Sequence, residues 1–215
     1  MKPNQFYRRI NCRQWLIAAL ATSSLGLVSC ASSILPKLSA PAATYTLLPV
    51  FEEPSLSLAS ELTLLVSSPR ASGLLNSSRM LYTRKVNEAA YFSQSQWADT
   101  PSQMLLPLMA GAIQQTGAFK AVLSTPTGAT SQYRLETELI TFEHSFLVQP
   151  SQVNVVMRAA LIDTNTRAVL SRKNFSATVS AGTEDAYGGV LAAQKAVQIV
   201  LSELAVFCAA AVGKK

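Results

Sequence analysis

Three cysteines, one histidine and a short row of carboxylates are the side chains of this 215-residue sequence that could do chemistry. His144 follows Glu143 near the end of the alternating stretch QYRLETELITFEHSF, residues 132–146, and Glu136 and Glu138 lie earlier in it. A histidine beside a carboxylate could act as a general base, and paired carboxylates could divide acid and base roles. At a spacing of two on a strand, however, both glutamates share one face, which reads as a solvated face. His144 reads as a surface or hydrogen-bonded residue in the same way. The sequence contains no Gly-x-Ser-x-Gly elbow, no Gly-x-x-x-x-Gly-Lys phosphate loop and no Cys/His set at metal-ligand spacing. No catalytic, cofactor-binding or metal-binding residue is therefore expected, and the chain is not expected to be an enzyme.

Cys30 stands apart because of what precedes it. A basic start (Lys2, Arg8, Arg9, Arg13) leads into an apolar span from Trp15 to Val28 and then into small residues, the build of a secretory signal. The span is about 14 residues, short of the roughly 20 that cross a bilayer as a helix. The Arg8-Arg9 pair is followed by Asn11 and Cys12 where twin-arginine export wants apolar residues, so general secretion is expected. Leu27-Val28-Ser29-Cys30 resembles the lipobox of bacterial lipoproteins, which implies cleavage between Ser29 and Cys30 and a thiol carrying diacylglycerol, with acyl chains of the palmitate kind. Each buried methylene contributes about 0.8 kcal/mol, so one acyl chain binds reversibly and two or more hold the protein on its membrane. Residue 31 is Ala rather than the Asp that commonly retains such proteins at the inner membrane. The location expected from that resemblance is the periplasmic face of an outer membrane.

Loss of residues 1–29 removes four of the 18 basic residues and none of the 12 acidic ones, which leaves 14 against 12, a net of +2. Beyond Arg84-Lys85, Arg172-Lys173 and Lys214-Lys215 there is no basic cluster, so no footprint for nucleic acid is present. Cys12 leaves with the signal and Cys30 takes lipid. Cys208 then has no partner within the chain, and its place on an apolar helical stripe marks a buried structural thiol.

The stretch ASSILPKLSAPAAT, residues 31–44, reads as a tether, and residues 45–212 as one domain. Short apolar runs at Tyr45–Leu48, Leu62–Ser67, Arg79–Thr83 and Ala89–Trp97 predict strands. Thr100 as N-cap, Pro101 at the first helical position and Gln103 in a capping box predict a helix start, and Gly117 its end. Leu105, Leu108, Ala112 and Ile113 share one face of that helix; Pro107 predicts a kink. Phe119–Leu123 predicts a return strand. Residues 132–146, Val153–Ile162 and Ala168–Val179 follow as long strands, the last two joined by the turn Asp163-Thr164-Asn165-Thr166. From Asp185 to about Ala209 a second helix carries Val190, Val197, Leu201, Leu204 and Cys208 along one stripe. The fold expected is α+β, a two-layer arrangement with a mostly antiparallel sheet and both main helices on one face.

Across residues 45–210 these elements resemble the ABC-type transport auxiliary lipoproteins. A Pro-ended strand, a Leu before an Arg-plus-Tyr strand, an aromatic pair, then Trp and a capped helix map onto Pro69, Leu75, Arg79, Tyr82, Tyr91, Phe92, Trp97 and Pro101. YRLETELITFEHSF and LIDTNTRAVLSRKNFSA resemble the family's second half. Lys85, where the family has a more apolar run, and Pro107 depart from it. The resemblance implies a non-enzymatic, outer-membrane lipoprotein working with a mammalian-cell-entry (MCE) protein and an ABC permease and ATPase in lipid trafficking. An outer-membrane assembly factor or a structural envelope lipoprotein is the alternative, and self-association is left open. Tyr91 and Trp97 carry two readings, core aromatics or a partner surface.

Overall fold

The computed structural model describes residues 41–49 and 61–212; the signal segment, Cys30 and the tether up to Ala40 lie outside the described residues. Strands β1 (Ala43–Tyr45), β2 (Thr63–Val66), β3 (Arg70–Ala71), β4 (Arg79–Lys85) and β5 (Glu88–Trp97) come first, with a single 3-10 turn at Gly73–Leu75. Helix α1 (Pro101–Gln114), β6 (Ala121–Ser124), β7 (Tyr133–Ser145), β8 (Gln152–Asp163), β9 (Val169–Ser180) and α2 (Ala186–Val212) complete the order.

The strands form a single sheet organised around β7. One edge of β7 pairs antiparallel with β8 along its whole length, and β9 pairs antiparallel with β8. The other edge is shared by β2, β3 and β4 in turn, each parallel to β7. Beyond these, β6 adds to β2, β5 to β4 and β1 to β5. The sheet is thus mixed, with its longest pairings, β7–β8 and β8–β9, antiparallel as expected and the shorter ones along the other edge of β7 parallel. Parallel neighbours require a crossover, and α1 supplies the one that carries the chain from the early strands to β6 beside β2.

Alternation sets the two faces. Tyr133, Leu135, Thr137 and Leu139 of β7 and Val153, Val155, Met157, Ala159 and Leu161 of β8 are buried, as period two requires. The outer face of β7 carries Glu136, paired with Arg134 at 3.2 Å, and Glu138, paired with Arg158 at 3.1 Å. Both helices cover the inner face: α2 lies on β8 and β9, and α1 on β2, β6 and α2. Leu105, Leu108, Ala112 and Ile113 of α1 are buried, as are Val190, Val197, Leu201, Leu204 and Cys208 of α2. The Thr100 hydroxyl accepts the Gln103 N–H, and Gly117 takes φ 66° after the last turn of α1, a left-handed position that suits glycine. Pro107 sits on the exposed face of α1, which continues through it to Gln114.

The first strand lies at Ala43–Tyr45 rather than Tyr45–Leu48. Pairing with β5 ends at Tyr45, and the Leu48 backbone is taken by Gln194 of α2, which accepts its N–H at 2.8 Å and donates to its carbonyl at 2.7 Å.

Leu135→Ala in the middle of β7 is expected to cost about 2–5 kcal/mol, and Glu136→Ala, on the opposite face, less than about 1 kcal/mol. Urea titration of the detergent-solubilised protein measures both; comparable losses would contradict the assignment of the two faces.

Candidate functional site

The residues with chemical potential converge where β7 ends against the start of α2. A bulge places them there. Leu139 pairs with Met157 and Thr141 with Val156, so Ile140 is an extra residue on β7, and an inserted residue exchanges the two faces of the strand beyond it. Odd-numbered residues face the core up to Leu139. After the bulge Phe142 and His144 do, while Glu143 turns outward and accepts the Thr83 hydroxyl at 2.7 Å.

His144 is only 4% exposed. Its Nε2 lies 2.8 Å from the Ser151 hydroxyl, and Ser151 is fully buried. The Ser151 N–H donates to Glu184 at 2.9 Å, and this bond is the main reason the Glu184 carboxyl is held below its ordinary range, helped by the Ser151 hydroxyl. The direction of the bond between Nε2 and the Ser151 hydroxyl follows the imidazole tautomer. Nδ1 has no hydrogen-bond partner among the described residues. It faces Gly189 in the first turn of α2 so closely that a Cβ there would overlap the imidazole.

Around the ring stand Phe146, at 4.2 Å between centroids, and Phe92, at 6.2 Å. Asp185 caps α2, accepting the Gly188 N–H at 2.7 Å and the Thr183 hydroxyl at 2.8 Å, which hold its carboxyl low in that order of weight. Burial pushes the His144 pKa down against the opposing pull of Glu184 and Asp185, with Arg84 adding to the depression. A neutral imidazole bonded to a serine no solvent reaches is a structural clasp, which fastens the β7–β8 loop to the start of α2. It offers no exposed nucleophile.

The other sequence-marked residues lie apart from it. Cys208 is fully buried and its thiol is pushed up to about 12 by burial, so it is not a thiolate nucleophile. Trp97 is 5% exposed and lies 5.3 Å from Phe142 between ring centroids, which places it in the core. Tyr91 is half-buried: its hydroxyl donates to the Leu74 carbonyl at 3.0 Å, and the Arg79 guanidinium lies 3.9 Å over its ring. Among the described residues no group of three His, Cys, Asp or Glu could hold a metal ion. Sequence reasoning missed Ser151, Glu184 and Gly189. The Gly188-Gly189 pair was the available signal, because glycine early in a helix costs about 1 kcal/mol per residue relative to alanine and is retained where something approaches closely.

The depressed pKa has a signed consequence. The folded protein takes up the His144 proton at a lower pH than the unfolded chain, whose value is about 6.5. Stability is therefore complete above that pH and falls as pH drops below it toward the folded value. The chain has one histidine, so His144→Gln, which can still hydrogen-bond to Ser151, is expected to flatten the decline of the thermal midpoint that begins as pH falls below about 6.5. An unchanged slope would place the acid sensitivity elsewhere. Gly189→Ala is expected to destabilise at every pH.

No curated protein matches the chain. A solved structure of a Xanthomonas campestris protein of family DUF330 superimposes with a TM-score of 0.72 at 20% identity, covering 80% of this chain and 98% of that one. A second solved structure, of an uncharacterized protein, gives 0.60 at 12% identity over 80% of this chain and 99% of its own. At such identities the likeness is one of fold. A family model, however, matches residues 45–205, nearly all of the folded domain. The chain belongs to the family of ABC-type transport auxiliary lipoprotein components.

Proposed function

We propose that this protein is a non-catalytic adaptor, held by lipid on Cys30 at the periplasmic face of the outer membrane, that joins an MCE-domain protein and its ABC permease and ATPase in moving phospholipid-like molecules between the two membranes. The reading is carried by the family match over residues 45–205. It is supported by Leu27-Val28-Ser29-Cys30 behind an export signal and by a domain whose buried histidine and serine are spent on a structural clasp. ATP hydrolysis belongs, in this reading, to a partner.

An adaptor needs surface rather than a pocket. The solvent side of α2 supplies Tyr187, Leu191, Ile199 and Val206, all exposed, at helical spacing on the face away from the sheet. Tyr91 adds a partly exposed ring on β5.

Two experiments test the reading. Cys30→Ala is expected to abolish acyl labelling and release the protein from membranes; a mutant that stays membrane-bound with labelling intact refutes the anchor. A crosslinked pull-down of the full-length protein from native membranes is expected to retrieve an MCE-domain protein with its permease. Retrieval of outer-membrane assembly proteins in their place would replace transport with an assembly role.

A further inference from the structure

Three connections lie together at one end of the sheet. The parallel pairing Tyr82↔His144 and Thr83↔Ser145 brings the β4–β5 hairpin level with the β7–β8 loop, and the Phe146 N–H donates to the Thr83 carbonyl at 2.8 Å. The β9–α2 connection joins them, since Gln152 pairs with Ser180 and the Ala181 N–H donates to the Ser151 carbonyl at 2.7 Å. At this end the hairpin tip presents Val86, 73% exposed, and the neighbouring loop presents Leu147 and Val148, 47% and 50% exposed. Loop tips in water ordinarily carry small or polar residues. The connections at the opposite end do, reading Thr125-Pro-Thr-Gly-Ala-Thr-Ser-Gln132 and Thr164-Asn-Thr-Arg167, with Val169 exposed on the strand beside them.

The direction of β1 ties this apolar end to the anchor. β1 runs parallel to β5, with Ala43 opposite Ser95 and Tyr45 opposite Trp97, and β5 runs away from the hairpin tip. The chain therefore enters β1 from the hairpin side. The Tyr45 ring meets Tyr187, in the first turn of α2, at 6.2 Å. From Ser95 back to Glu88 is at most about 23 Å along a strand, and the irregularity of β5 between Tyr91 and Gln96 shortens it. The eleven residues from Ala31 to Pro41 reach at most about 40 Å, enough for a lipid on Cys30 and the hairpin tip to share one surface.

Charge does not argue for a basic, anion-seeking patch. Arg84 lies 4.6 Å over the Phe146 ring, and Lys85 pairs with Glu88 at 3.5 Å. Glu184 and Asp185 are exposed at the same end, so the signs are mixed. The attraction on offer is burial of aliphatic surface, with the stems of Arg84 and Lys85 able to lie along it and keep their charges in the headgroups.

We propose that Val86, Leu147 and Val148 seat shallowly in the phospholipid surface that holds the Cys30 lipid, so that the domain stands on its membrane by this end. The inference rests on the anchor proposed above. The domain then presents its opposite end and the free side of α2 to the periplasm.

The test uses the full-length lipoprotein in vesicles of phosphatidylethanolamine and phosphatidylglycerol containing a doxyl-labelled lipid quencher. A nitrobenzoxadiazole dye is placed at Val86→Cys, Val148→Cys or Asn165→Cys, the last in the turn at the far end; Cys208 is buried and does not compete for label. Quenching at 86 and 148 is expected to exceed that at 165 by about twofold or more, as for side chains at the headgroup boundary. Adding Leu147→Asp and Val148→Asp to the Val86→Cys protein is expected to remove the difference while the protein still floats with the vesicles. Flotation with equal quenching at all three sites would overturn the inference and leave the anchor standing. Failure to float would overturn the anchor, and the inference with it.

Discussion

A strand that serves different neighbours along its two edges cannot shift register without disturbing both, and β7 is in that position. One edge is committed to β8 from Tyr133 to Ser145. The other is divided among β2, β3 and β4, which reach it from separate parts of the chain. Because a one-residue slip would turn the whole apolar set to solvent, burial of Leu135, Leu139 and Phe142 fixes the placement of every strand that pairs with β7. The bulge at Ile140 changes the face of the strand once, between the part that pairs with β2 and β3 and the part that pairs with β4. The domain therefore has an ordinary aliphatic core over most of its length and an aromatic, polar-centred core at one end.

That second core explains why a histidine and a serine are buried where leucines would pack as well. The β7–β8 loop and the start of α2 are both segments in which some backbone N–H groups, those of Ser151 and Gly188 among them, are taken by side chains. The line from His144 through Ser151 to Glu184 ties the two segments together, with Glu184 accepting the Ser151 N–H and Asp185 closing the helix end beside it. Buried hydrogen bonds contribute little net stability, about 1 kcal/mol each, but leaving one partner bare costs more. The arrangement thus specifies one loop conformation more than it adds strength. Gly189 is the steric condition for it, since the imidazole occupies the space a side chain would fill.

Local pattern made much of this legible. The cap at Thr100, the break at Gly117, the stripe from Val190 to Cys208 and the alternation from Tyr133 to Leu139 are each encoded within a few residues. What was not legible depends on partners distant in the chain. β3 is two residues long and exists because Glu138 and Leu139 are there to pair with it. The position of β1 is set by β5 and by Gln194, far along the sequence. Parallel pairing leaves no period in the sequence, so the long antiparallel pairings were legible and the short parallel contacts of β2, β3 and β4 with β7 were not. His144 read as a surface or hydrogen-bonded residue, and unbroken alternation would have kept it on the outer face; the bulge that buries it has no local signature in Leu139-Ile140-Thr141. Trp97, read both ways from sequence, lies in the core because the β5 register sets it against Phe142.

By length and apolar composition α2 could cross a bilayer, and packing decides otherwise. Val190, Val197, Val200, Leu201 and Leu204 are buried against β8, β9 and α1. In lipid these side chains would remain in an apolar medium, but the inner face of the sheet, with Val155, Met157 and Leu161, would lose its cover and meet water. In the proposed function, attachment to a membrane comes from the lipid rather than from this helix. A lipid on a tether supplies attachment without orientation, and a partner meeting a freely turning domain loses that rotational freedom on docking, one of the larger costs of association. A second, weak contact at the end of the sheet would remove part of that freedom beforehand. Three aliphatic side chains are enough for orientation and too few for anchoring, the balance a lipidated adaptor needs if the lipid holds it and the partner positions it.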